Sequence, residues 1–83
     1  MCRNITELRG LQPPATVAEI DAAALQYIRK VTGLRNPPAA VVADYDRAVA
    51  AVAEATAALL GSLPARRQPP VTVPPLRRGH TTV

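Results

Sequence analysis

Thr16-Val17-Ala18-Glu19-Ile20-Asp21-Ala22-Ala23-Ala24-Leu25-Gln26-Tyr27-Ile28-Arg29-Lys30-Val31-Thr32-Gly33 specifies a helix together with both of its ends. Thr16 and Glu19 stand three apart, as a capping box requires. The threonine hydroxyl accepts from the Glu19 N–H, and the Glu19 side chain reaches back to the Thr16 N–H. Asp21 lies near the positive end of the helix dipole, and Arg29 and Lys30 lie near the negative end. Gly33 suits the left-handed position that follows many helices. A helix from about Val17 to Thr32 is predicted. Ile20, Ala24, Tyr27, Ile28 and Val31 fall on one side at 3.6 residues per turn. Val17 precedes this stripe and Leu34 follows it, while Leu25 lies off it. Ala22, Ala23 and Ala24 allow a neighbouring helix to approach closely.

Gly33-Leu34-Arg35-Asn36-Pro37-Pro38 leads out of that helix. Asn36 is a good N-cap and Pro37 a good first helical residue. An alternative start lies a few residues later, with Asp44 and Asp46 in the first turns. A second helix over about residues 39–61 follows. Its apolar positions Val42, Tyr45, Val49, Val52, Thr56, Leu59 and Leu63 alternate gaps of three and four, a heptad-like seam with one polar member. Two helices joined by a short loop make an antiparallel αα-hairpin. The expected fold class is all-α: this hairpin, an N-terminal arm and an extended proline-rich tail. A hairpin covers itself on one side only, so the remaining apolar surface closes on the arm, or on a second copy as a four-helix bundle.

Before the first helix, Ile5, Leu8 and Leu11 recur every third residue, and Pro13-Pro14 ends any helical turn there. The segment reads as an irregular arm (residues 1–15) that packs these three side chains onto the helices. After the hairpin, residues 64–83 hold five prolines and two Arg-Arg pairs. Such a tail is expected to be disordered or extended. The small helical domain is therefore residues 1–63, and the tail is residues 64–83.

The chain has 83 residues, and 16 of them are alanine, so its 48% hydrophobic content overstates the core. With no Phe, no Trp and two Tyr, the core rests on Val, Ile, Leu and the tyrosines. A core in so short a chain rarely contributes more than about 3–5 kcal/mol, which favours a homo-oligomer or a protein partner. Cys2 is the only cysteine, so no internal disulfide forms, in keeping with a reducing cytoplasm. No apolar run reaches membrane-spanning length and no signal-peptide core is present, so no membrane association is expected. The net charge of +4 sits in the tail, where Arg66, Arg67, Arg77 and Arg78 are accompanied by no acid.

The start Cys2-Arg3-Asn4-Ile5, then Pro14-Ala15-Thr16, then the run from Glu19 to Gly33, and later Ala48-Val49, Val52-Ala53-Glu54-Ala55-Thr56 and Leu59-Leu60, resemble a family of small bacterial proteins catalogued as domain of unknown function 2277. The resemblance covers about residues 1–63. The family tends to have Pro-Ser where this chain has Pro37-Pro38, and the tail is not part of the resemblance. The resemblance implies a short helical fold and a bacterial, often actinobacterial, source. It implies no activity, and no family catalytic residue carries over.

No residue pattern points to an enzyme. Cys2 is a candidate reactive thiol. Arg3 beside it favours the thiolate, but no nearby base is apparent, and a small side chain tucked under the arm is the plainer reading. A metal or cofactor site is not expected, because Cys2 and His80 lie at opposite ends of the chain with no paired-ligand spacing. Asp44 and Asp46, two apart on a helix, point to different faces and do not form a carboxylate pair. Tyr27 and Tyr45 read as core rings with their hydroxyls at the edge. A DNA-reading helix is also poorly supported, because the second helix has Asp44, Asp46 and Glu54 on its polar side.

Three functions stay open. The first is a protein-interaction module or accessory subunit, with Tyr27, Val31, Tyr45, Val49 and Val52 as the candidate face. The second is a nucleic-acid accessory protein, in which Arg66, Arg67, Arg77 and Arg78 contact phosphates weakly and without sequence preference. The third is a thiol-based redox role through Cys2.

Overall fold

The computed structural model describes residues 4–64 and 73–78. Helix α1 spans Val17–Thr32, a single 3₁₀ turn spans Ala39–Val41, α2 spans Val42–Ser62, and a four-residue turn of helix, α3, spans Pro75–Arg78. No strand occurs among the described residues.

α1 forms where its capping box places it. The Glu19 N–H donates to Thr16 Oγ1 at 3.1 Å, and the Thr16 N–H donates to Glu19 Oε1 at 2.9 Å. Gly33 closes the other end at φ 72°, its N–H donating to the Arg29 carbonyl at 2.9 Å. Thr16→Ala removes one half of the box. It is expected to lower stability by about 1 kcal/mol, read as a drop in urea midpoint at unchanged slope.

The start of α2 departs from one sequence expectation. Asn36 does not cap it and Pro37 is not its first residue; the 3₁₀ turn begins after Pro38, which is extended at ψ 151°. The reason is steric. A residue that precedes proline is pushed out of the α region, so Pro37, which precedes Pro38, does not take the helical backbone that a first helical residue needs. The later start is the one realised. At the other end Leu63, which precedes Pro64, is extended at ψ 148° and stops the helix.

α1 and α2 pack against each other in antiparallel fashion. Near the loop, the Tyr45 hydroxyl donates to the Leu34 carbonyl at 2.7 Å. At the far end, Val17 and Ile20 face the stretch from Ala53 to Leu60. The core gathers Leu8 and Leu11 from the arm, Ile20 and Ala24 from α1, and Ala53 from α2. Ala15, Val49, Val52 and Leu60 pack around them. Ala24, at 2% exposure, shares that cluster with Ala53.

The arm is irregular, as expected. Leu8 and Leu11 are buried, whereas Ile5 stays 44% exposed. Two hydrogen bonds pin it: the Asn4 N–H donates to Gln26 Oε1 at 2.6 Å, and Arg9 donates to the Pro64 carbonyl at 3.1 Å. The Gln12–Pro13 peptide is cis.

The heptad seam of α2 is only partly the buried face. Tyr45 is buried and Val49, Val52 and Thr56 are half-buried, but Leu59 is 59% exposed, and Ala53 and Leu60 turn inward. A straight helix drifts about 20° per heptad against a 3.5-residue repeat. Across nearly three heptads that drift moves the inward position from Leu59 to Leu60.

Candidate functional site

Two places in the fold concentrate features beyond the core. The first is the head of α1. Glu19 is 4% exposed, although it belongs to the first turn of a helix. Its carboxylate accepts from Arg77 Nε at 2.6 Å on Oε2 and from Arg77 Nη2 at 3.1 Å on Oε1. The same Nη2 donates to the carbonyls of Pro13, at 2.7 Å, and Pro14, at 3.0 Å. The Arg77 guanidinium thus lies side-on in a cradle of one carboxylate and two carbonyls. Pro74, three residues earlier in the chain, has a fully buried side chain.

The electrostatics of this contact act in one direction. The hydrogen-bonded Arg77 guanidinium holds the Glu19 carboxyl below its ordinary value, against the opposing effect of burial, and the Thr16 N–H adds to the lowering. Arg77 is held above its own ordinary value, chiefly by the hydrogen bond to Glu19.

This corrects two expectations about the tail. Over Pro75–Arg78 it is helical and not extended: the Arg77 N–H donates to the Pro74 carbonyl at 3.0 Å and closes one turn. Nor is Arg77 a free phosphate contact, because its fork is already engaged by Glu19. A carboxylate buried at a helix start offers more than a mobile arginine in water finds. Arg66, Arg67 and His80 lie outside the described residues, as does Cys2, and Arg78 lies in α3.

The second place is the flank of the hairpin that carries Tyr27 and Val31. The five residues of the expected interaction face do not stay together. Tyr45 is buried, and Val49 and Val52 pack on the core, because the α1–α2 contact uses them. They form no exposed face. Tyr27 is not a core ring: it is 47% exposed, and Val31 is 61% exposed. Leu34, Val41 and Val42, around the connecting loop, are each more than one third exposed. Tyr27 also borders an open apolar cleft of about 300 Å³ between the arm and the two helices, lined in part by Ile5, Leu8, Val52 and Leu60.

Among the described residues, no group of three or more His, Cys, Asp or Glu side chains is placed to hold a metal ion. No helix among them is long and apolar enough to cross a membrane. The exposed Asp44–Arg47 pair, at 2.7 Å, is a solvated helix contact worth little.

Fold and surface together define a small helical-hairpin protein. The chain belongs to the family described as "Uncharacterized conserved protein (DUF2277)", whose model matches residues 1–82. The match extends past the helices into the tail, so the resemblance is not confined to residues 1–63. No curated protein and no solved structure matches the chain.

Sequence reasoning missed the cradle. Glu19 was legible as half of a capping box, and Arg77 as one of four tail arginines. No local pattern joins residues 58 positions apart. The one available signal was chemical: a tail of arginines with no acid of its own seeks a carboxylate elsewhere.

Proposed function

We propose that this chain is a small helical protein-interaction module whose binding surface is the uncovered apolar flank of α1 at the loop end of the hairpin, centred on Tyr27 and Val31. The observation that supports the reading is the exposure of these two side chains. They continue the apolar stripe of α1 beyond the part that α2 and the arm cover. Tyrosine supplies large contact area at small entropic cost, and exposed apolar side chains grouped on one face suit a protein partner. A second copy of the chain is the partner favoured here, because a thin core gains most from further apolar burial. A bacterial cytoplasmic setting belongs to the same reading.

The test compares the full chain with the double variant Tyr27→Asp/Val31→Asp by sedimentation equilibrium. Both substitutions are at exposed positions and are expected to change stability by no more than about 0.5 kcal/mol each. The reading expects a wild-type dimer and a monomeric variant. A wild type that remains monomeric at hundreds of micromolar removes self-association. Nuclease-treated pull-downs with both chains then decide whether another protein occupies the face. Retention that is insensitive to the double variant but lost on nuclease treatment and in Arg66→Ala/Arg67→Ala moves the function to nucleic acid.

A further inference from the structure

The contact between tail and hairpin has the composition of a peptide-recognition site. Glu19 presents both carboxylate oxygens to the edge of one guanidinium, at 2.6 and 3.1 Å. The Pro13 and Pro14 carbonyls complete the acceptor set at 2.7 and 3.0 Å. Prolines have no N–H, so the cradle presents acceptors there without competing donors. A planar fork satisfies this arrangement and a lysine ammonium does not, because its three donors do not lie in one plane.

The ligand side is equally defined. Residues 74–77 form one turn closed by the Arg77 N–H to the Pro74 carbonyl, which sets the buried proline and the arginine three residues apart.

We infer that Glu19 with the carbonyls of Pro13 and Pro14 is an arginine-reading peptide site, filled by the chain's own Pro74-Pro75-Leu76-Arg77 and able to take the same segment offered by a separate peptide. Because the segment belongs to the same chain, its binding is intramolecular and is favoured over that of a free peptide. The site lies at the open end of the hairpin, about 18 Å along α1 from Val31 at 1.5 Å per residue. Its failure and that of the Tyr27 surface are therefore separate results.

The test uses full-length chains. Arg77→Ala removes the guanidinium from the cradle while leaving Glu19 in place. A capped peptide of residues 73–78 is titrated into it, with the Glu19 and Thr16 amide signals followed by NMR. Saturable shifts are expected in Arg77→Ala and clearly weaker ones at equal peptide concentration in the wild type, where the chain's own segment competes. The same peptide with citrulline at the Arg77 position, neutral but similar in shape, is expected to give none. Equal binding of the two peptides, or none of either, overturns the inference. Should Arg77→Ala fail to fold, Arg77→Lys serves as the receptor. In the wild type, Glu19→Gln must also move the Arg77 Nε–H signal; an unmoved signal overturns the inference too.

Discussion

Ile20→Ala lowers the stability of the full chain by about 2–5 kcal/mol and leaves much of it unfolded at room temperature. Ile20 is 8% exposed and sits in the cluster of Leu8, Leu11, Ala24 and Ala53. Two of its neighbours there are alanines, which have no side-chain length to move into the space a truncated isoleucine leaves. The cavity term therefore adds nearly in full to the lost transfer energy. Against a core that contributes about 3–5 kcal/mol in total, the loss is of the same size as the stability itself. Urea unfolding followed by far-UV circular dichroism measures it. Val31→Ala, at a position 61% exposed, is the control and is expected to shift stability by less than about 0.5 kcal/mol. Equal midpoints for the two variants would mean that Ile20 is not in the core.

Acidification is the second large effect. Glu19 has its carboxyl held below the ordinary value of 4.5 by Arg77 and Thr16. A carboxyl lowered in the folded state binds protons more weakly there than in the unfolded chain. Its contribution is thus fully present above the unfolded value, and is lost as pH falls through the folded one. The urea midpoint is expected to be flat between about pH 8 and 6 and to fall below about pH 4.5. In Glu19→Gln, which cannot ionise, the midpoint at neutral pH is lower than in wild type and the acid slope shallower. An acid slope unchanged by Glu19→Gln would assign the proton uptake to other carboxylates and falsify the role given to this one.

Of the two places that carry the functional argument, one was half legible and the other was not. Tyr27 and Val31 were recognisable from spacing as members of an apolar stripe. Spacing could not tell which members the partner helix would cover, because coverage depends on where α2 begins and how its face drifts. Tyr45, Val49 and Val52 had the same periodic signature and went to the core. The Arg77–Glu19 contact had no signature, since composition alone sorts a proline-rich arginine tail with solvated arms.

The sequence by itself determined the local events. Thr16 with Glu19 sets the start of α1 and Gly33 its end, the 3.6-residue apolar spacing selects helix over strand, and the Pro13-Pro14 pair forbids helix just before α1. These follow from steric limits and hydrogen bonds spanning a few residues, which a linear string displays. Only the tertiary structure decided which turn of α2 meets Ala24, which leucine of the Leu59-Leu60 pair faces inward, and that Arg77 closes on Glu19. Those outcomes depend on helix drift accumulated over many turns and on a chain reversal that brings residues 58 apart within 2.6 Å, and neither is encoded at any single position.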